Sequence, residues 1–315
     1  MNKTYKFSKS IVGITGGLIL LSVVITDPYY LQIITWLAIN FVLAASLRFM
    51  MLTGEISLVH AGFMGIGAYT SGALSLAGYS LGLTIPAGLI LSGIVAALFG
   101  LISLRLRGAY FLLVTFAFSE ILRLFFTNYF SEILGGATGL VVPGLGSMAT
   151  LYIVIVSAVV LWVLHYIEQS RLGSVLKCLH QNMDLTESIG YNQFYYKLAA
   201  FCISSSLAGL IGALFAHYNL VIAPQDFTFV LSIYVVAYVI IGGKGKLEGA
   251  LLGAALLTLL SEFIRQFGAL ESLAYGLILV LTMLISPDGL LEGIGRIPAM
   301  FKRKANIDIG GKVDA

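Results

Sequence analysis

Long apolar stretches, separated by short polar interruptions, run through most of the chain. No Asp, Glu, Lys or Arg occurs from Ile56 to Leu104, and none occurs from Ile133 to Ile167. An uncharged apolar run of about 18 residues or more is a candidate membrane-spanning helix. The pattern therefore predicts an all-α fold, a polytopic bundle of transmembrane helices.

Apolar length, together with the charges, prolines and glycines that bound each run, predicts about ten spans. They are Ile11 to Thr26, Leu31 to Leu52, Ile56 to Ser80, Leu83 to Leu104, Gly108 to Thr127, Met148 to Ile167, Leu198 to Ile222, Phe227 to Ile241, Leu247 to Phe267 and Leu273 to Ser286. The eighth is short for a span, which leaves a tilted helix or a partly re-entrant segment as alternatives.

The basic residues predict the orientation of the spans. If the amino terminus is cytoplasmic and the spans alternate, all 18 Lys and Arg residues except Arg123 and Arg265 lie on the cytoplasmic side. Lys and Arg are retained on that side of a membrane. We therefore expect both termini to be cytoplasmic, with a permease domain over residues 1–295 and a cytoplasmic tail over residues 296–315.

Composition narrows the class of protein further. Hydrophobic residues make up 59% of the chain and charged residues 10%, whereas a soluble domain carries roughly 25% charged residues. The net charge of +3 comes from basic residues at span ends rather than from one patch. We therefore expect membrane lipid, and not nucleic acid, as a partner.

No catalytic or metal-binding pattern stands out. The run from Gly242 to Lys246 is rich in glycine, but Leu247 and Glu248 follow it, and its spacing is not that of a phosphate-binding loop. Cys and His residues do not cluster with metal-ligand spacing. We expect no catalytic residues, no metal and no cofactor bound by this chain.

The most polar stretch runs from Glu168 to Lys197, between the sixth and seventh spans. Its apolar residues recur with helical spacing at Val175, Leu176, Leu179, Met183 and Leu185. Ser174 could cap a helix and Gly190 could end one, with a second helical piece around Glu187. Such a helix either rests on lipid headgroups or docks into a soluble partner.

Residues 185–201, LTESIGYNQFYYKLAAF, resemble the cytoplasmic coupling segment of LivM-type permeases, which belong to the ABC importers of branched-chain amino acids. The matching positions are Glu187, Gly190, Asn192, Phe194, Tyr196, Lys197 and Phe201. Four further stretches resemble the same family in the same order: Gly54 to Thr70, Arg107 to Arg123, Gly135 to Leu140, and Ile240 to Gly249.

The resemblance implies a permease of the inner membrane that works with a second related permease and two ATP-binding cassette subunits. An extracytoplasmic solute-binding protein would deliver the cargo, and the partner subunits would use the ATP. Branched-chain amino acids are the expected cargo; urea, short amides and nucleosides are the alternatives. The residues expected to couple the permease to the ATPase are Ser174, Lys177, His180, Asp184, Glu187, Gly190, Asn192 and Lys197.

The chain also departs from the family pattern. Glu55 stands where a neutral Gln is expected, His180 where Arg is usual, and Asp288 where a basic residue is usual. Lys244 and Lys246 replace neutral residues in the Gly-rich turn. Each departure could change docking contacts or cargo preference.

Polar residues inside the spans are costly in lipid, so each needs a partner or water. Glu120 lies three residues before Arg123, and they form either a structural ion pair or a pair that lines a cavity. Glu262 and Arg265 repeat this spacing, and His217 and His165 near span ends carry little signal. The residues proposed to line the substrate path are His60, Tyr69, Thr70, Tyr110, Thr115 and Glu120.

Each path residue has a simpler interpretation. His60 could be a contact between helices, and the tyrosines could belong to an interfacial aromatic belt. A second class of function, a secondary transporter driven by an ion gradient, favours buried acids and inverted repeats. Glu120 is a candidate acid for it, but the sequence has no clear internal repeat.

Overall fold

The computed structural model describes residues 9–129, 134–146 and 148–265, together with residues 276, 277 and 280. Within these ranges the helices are α1 (Lys9–Val24), α2 (Pro28–Met51), α3 (His60–Leu76), α4 (Leu81–Ser103), α5 (Ala109–Asn128), α6 (Ala149–Gln169), α7 (Arg171–Gln181), α8 (Met183–Ser188), α9 (Gln193–Asn219), α10 (Phe229–Gly242) and α11 (Leu247–Ile264). Strands β1 (Leu140–Val141) and β2 (Val221–Ile222) pair antiparallel, and single 3-10 turns cover Gly136–Thr138 and Pro224–Phe227.

The predicted all-α membrane bundle is confirmed. Among the described residues, six helices are long and apolar enough to cross a membrane: α2, α4, α5, α6, α9 and α11. The apolar helices α1 and α10 are shorter, and α3 corresponds to the third predicted span. The chain is therefore a multi-pass membrane protein, while the tenth predicted span, residues 273–286, lies outside the described ranges except for its isolated residues.

The described residues up to Val236 form one compact unit, and those from Ala237 onward form a second. In the first unit, α3, α4 and α9 pack closely through small residues. A Cβ atom added at Gly67 would collide with the carbonyl of Gly209, and one at Gly212 would collide with that of Met64. Glycine at these positions lets the helix backbones approach.

Small residues recur every four positions in α4. Gly88, Ser92 and Ala96 are all buried on one face of α4. In the second unit, a Cβ atom at Gly253 would collide with the carbonyl of Tyr238, so the start of α11 also needs a small residue there.

The third predicted span is partly wrong. Its helix begins at His60 instead of Ile56, and residues 55–59 are irregular although Glu55, Ser57 and Val59 are buried. Side chains replace part of the missing helical hydrogen bonding, since Leu58 N donates to Thr115 Oγ1 at 3.1 Å. Irregular backbone in a helix bundle is tolerated where protein surrounds it, and hydropathy alone does not report this.

Candidate functional site

Helices α7 and α8 lie between the long helices α6 and α9 along the chain. The first residue of α7 differs from the prediction. The α7 helix begins at Arg171, so Ser174 is not its cap; the Ser174 hydroxyl donates to the carbonyl of Ser170 at 3.0 Å from inside the helix. The predicted apolar face is confirmed, because Val175, Leu176 and Leu179 are buried. The amphipathic helix therefore packs its apolar face on protein.

The second helical piece around Glu187 is confirmed as α8. The side chain of Asn182 caps it by accepting from Leu185 N at 3.0 Å. Gly190 follows the helix with φ 89°, a left-handed conformation that glycine adopts without strain. Asn192 then caps α9 by accepting from Phe194 N at 3.0 Å. Gly190 and Asn192 thus set the geometry of the connection between α8 and α9.

A buried ion pair joins α9 to the irregular segment before α3. Lys197 Nζ donates to Glu55 Oε1 at 2.9 Å, and each side chain is only 3% exposed. Glu55 Oε2 also accepts from the backbone N–H of Gly108 at 3.0 Å. Lys197 Nζ lies 3.5 Å from the sulfur of Met183, at the start of α8. The pair connects α8, α9, the segment before α3 and the residue that precedes α5.

A second charged cluster ties α7 to α2 and α6. Arg48 Nη1 donates to Glu168 Oε2 at 2.7 Å and Arg48 Nη2 donates to Glu168 Oε1 at 3.1 Å. This bidentate geometry is the strong form of an Arg–carboxylate pair, and Arg48 is 1% exposed. Lys177 of α7 donates to the same carboxylate at 2.8 Å. We call this end of the bundle, with both charged clusters, the α7–α8 end.

Other residues of the predicted coupling set are exposed at the surface. His180, Asp184 and Glu187 are exposed, and Leu185 and Ile189 of the same stretch are 64% and 62% exposed. An exposed apolar surface with a charged rim is typical of a protein docking site. The α7–α8 end therefore presents an exposed surface, and buried ion pairs fix this surface to the bundle.

Nearby, the Arg171 guanidinium lies over the Tyr191 ring at 5.6 Å from its centroid and donates to the Tyr191 hydroxyl at 3.3 Å. That hydrogen bond raises the pKa of Arg171 above its usual value. Arg171 therefore keeps its charge beside the start of α7.

The six proposed path residues do not gather around one cavity in the described part of the chain. Tyr69 and Thr70 line an apolar cavity of about 420 Å³ between α3, α4 and α5. Thr115 bonds to Leu58, Tyr110 is 73% exposed, and Glu120 pairs with Arg123 at 2.8 Å.

His60 is a contact between helices. Its Nε2 lies 2.9 Å from Ser204 Oγ, which itself donates to the carbonyl of Ser46 at 2.8 Å. The hydroxyl has one proton, so it accepts from the His60 ring. This chain of hydrogen bonds links α3 and α9 to α2.

His217 makes two hydrogen bonds that its position in the sequence does not predict. Its Nδ1 lies 2.7 Å from the carbonyl of Pro143, which can only accept, so Nδ1 carries the proton. Its Nε2 lies 2.8 Å from the hydroxyl of Ser71. His217 thus fixes the loop over residues 134–146 to α3 and α9, next to the β1–β2 pair; we call this region the sheet end.

Arg48, Glu168 and Ser204 are further residues that the sequence did not single out. The sequence could have identified Arg48 and Glu168, since each is a charged residue within a few residues of the end of an apolar run. It could not have identified Ser204, because a serine inside a span is common in close-packed membrane helices.

A polytopic helix bundle with an exposed, charged segment between two spans defines the class as a multi-pass membrane protein. Residues 29–286 match the model of the family described as branched-chain amino acid transport system / permease component, and the chain belongs to this family. It is 34% identical over 277 residues to the high-affinity branched-chain amino acid transport system permease protein LivM of Salmonella typhimurium. The corresponding LivM protein of Escherichia coli is 33% identical over 277 residues.

Each of these two alignments covers 76% of this chain and 64% of the relative, so the chain spans less than two thirds of the length of either protein. A probable branched-chain amino acid transport permease protein LivH of Methanocaldococcus jannaschii is 24% identical over 148 residues, 44% of this chain and 46% of that protein. No solved structure matches the chain.

Proposed function

We propose that the chain is a permease subunit of an ABC importer that moves branched-chain amino acids across the cytoplasmic membrane. Its family supports this cargo class. The observation that carries the coupling role is the α7–α8 end, where an exposed surface is tied to the bundle by the Lys197–Glu55 and Arg48–Glu168 pairs. A soluble ATPase bound there would move α2, α3, α6 and α9 together.

The proposed assembly contains a second related permease, two ATP-binding cassette subunits and an extracytoplasmic solute-binding protein. The resemblance of this chain to both LivM and LivH proteins supports a pair of related permeases. The ATPase subunits would supply the energy. The loop at the sheet end, held by His217, would face the solute-binding protein.

We assign about ten spans with both termini in the cytoplasm, a permease domain over residues 1–295 and a tail over residues 296–315. The position of the basic residues supports this orientation. In this proposed orientation the α7–α8 end, including residues 168–197, would lie in the cytoplasm, where an ATPase can reach it.

The coupling residues fall into two proposed roles. His180, Asp184 and Glu187 would contact the ATPase directly because they are exposed. Lys197, Lys177, Ser174, Gly190 and Asn192 would hold the contact surface in position through the hydrogen bonds and backbone geometry described above.

The test is uptake by the complete transporter in proteoliposomes. The wild-type complex should take up leucine only when ATP is present on the side of the membrane that carries the ATPase subunits and the solute-binding protein is also present. Glu187→Lys reverses an exposed charge, and Gly190→Pro removes the left-handed conformation at the end of α8. Both should abolish ATP-driven uptake and leave binding of the solute-binding protein unchanged.

Unchanged uptake in both variants would overturn the coupling role of α8. If the complex takes up urea, short amides or nucleosides in place of leucine, the permease role stands and the proposed cargo is wrong. Uptake that continues in membranes without ATPase subunits and follows an ion gradient would favour a secondary transporter.

A further inference from the structure

A second cavity, of about 210 Å³, lies in the first unit between α2, α3, α9, the turn Pro224–Phe227 and α10. Its wall carries three polar side chains, Asn40, Asn219 and Asp226. None of the proposed path residues lines it. The cavity is separate from the α7–α8 end and from the apolar cavity beside Tyr69.

Polarity changes along the depth of this cavity. Leu43, Met64 and Phe215 line its deep part and are 1%, 2% and 4% exposed. Asn219 and Asp226 are exposed and therefore lie at the mouth. The cavity thus has an apolar floor and a polar entrance, which matches a small solute with one charged end and one apolar end.

Asp226 is held at the mouth by its own turn. Its Oδ2 accepts from the backbone N–H of Ala223 at 2.9 Å, and the neighbouring Phe227 anchors the turn because it is 1% exposed. Among the described residues that line the cavity, Asp226 alone carries a charge. Partial burial raises the pKa of the Asp226 carboxyl, and a bound cation would offset that cost.

The mouth is next to the sheet end. Asn219 ends α9, and β2 (Val221–Ile222) lies between it and the Asp226 turn and pairs with β1. The carbonyl of Leu220 accepts from Val142 N at 2.7 Å. The entrance therefore lies beside the loop over residues 134–146, which would face the solute-binding protein.

We propose that this cavity is a transit site for an α-amino acid with an aliphatic side chain. The ammonium group pairs with Asp226, the carboxylate accepts from the side-chain amide of Asn219, and the aliphatic side chain lies against Leu43, Met64 and Phe215. Urea would leave the apolar floor unfilled and would give Asp226 no cation. This inference rests on the proposed function and adds a binding site to it.

The test uses the complete transporter in nanodiscs. Cys178→Ser and Cys202→Ser remove the native thiols of this chain, and Leu231→Cys places one thiol in the cavity wall, at a residue that none of the proposed contacts uses. The rate of modification by a charged methanethiosulfonate reagent is measured with and without added leucine. Leucine should slow the modification severalfold. Urea and 4-methylpentanoate, which lacks the ammonium group, should not.

The second arm measures how Asp226→Asn changes protection by leucine and the KM for leucine uptake. Asn keeps an oxygen that can accept from Ala223 N, so the turn is retained, but the charge is lost. We expect the leucine concentration for half-protection in nanodiscs to rise tenfold or more, and the KM for uptake into proteoliposomes to rise with it. Asp27→Asn is the matched control, because Asp27 caps α2 by accepting from Tyr29 N and does not line the cavity.

The outcomes separate the two proposals. If the wild-type complex takes up no leucine with ATP, the proposed function fails. If it takes up leucine but leucine gives no protection at position 231, or Asp226→Asn behaves like Asp27→Asn, the transit site is wrong and the permease function stands. Thermal unfolding of each complex verifies that the variants are folded.

Discussion

Removing the charge of Lys197 should destabilise the protein more than almost any other single charge change. Lys197 and Glu55 are each 3% exposed and their charged atoms are 2.9 Å apart. Breaking a buried pair costs about 3–5 kcal/mol because the remaining charge stays buried without its partner. Lys197→Met leaves Glu55 with the Gly108 N–H, so we expect the lower end, about 3 kcal/mol.

The double variant Glu55→Gln/Lys197→Met should be more stable than Lys197→Met alone. It removes both charges, and replacing a buried pair by neutral residues of similar volume is often close to neutral. We expect it to lie within about 1 kcal/mol of wild type, so the two single effects are strongly non-additive. Gln at position 55 also matches the residue expected from the family resemblance.

Unfolding of the purified chain in mixed micelles, titrated with SDS and followed by tryptophan fluorescence, measures these free energies. Lys177→Met is the matched control: it removes the Lys177–Glu168 contact outside the predicted spans, and Lys177 is 48% exposed. A contact this exposed contributes about 1 kcal/mol or less. Equal costs for Lys197→Met and Lys177→Met, or additive effects in the double variant, would refute the reasoning.

Three further changes test other parts of the structure. Gly67→Leu should prevent folding, because its side chain would enter the backbone of Gly209, whereas Gly82→Leu should be tolerated, since a Cβ atom there has nothing within 4 Å; yield of monodisperse protein in detergent distinguishes them. His217→Ala should cost about 1–3 kcal/mol by leaving buried hydrogen-bonding groups without partners and should speed hydrogen exchange in the loop over residues 134–146, and unchanged exchange would contradict its anchoring role. Arg48→Leu should destabilise far more than Lys177→Met in the same SDS titration, because Arg48 is 1% exposed and Lys177 is 48% exposed; similar costs would contradict the ranking.

Sequence reasoning located the helices well because each membrane span carries its own signal. Nine predicted spans correspond to described helices, with shifts of a few residues at most ends, since apolar length is a local property of the chain. The amphipathic spacing of α7 and the glycine at position 190 were equally local, and both features are present. The resemblance of the coupling segment led to the family that residues 29–286 match.

Tertiary structure decided which polar residues have partners. Glu55 stood out only as a departure from the family pattern, and its partner lies 142 positions away along the chain. His217 and Ser71 are 146 positions apart, and the irregular segment over residues 55–59 reads as apolar span in the sequence. Hydropathy and helical periodicity depend only on residues that are neighbours along the chain. Ion pairs, buried irregular backbone and cavities depend instead on which helices are in contact, and only the packed bundle determines those contacts.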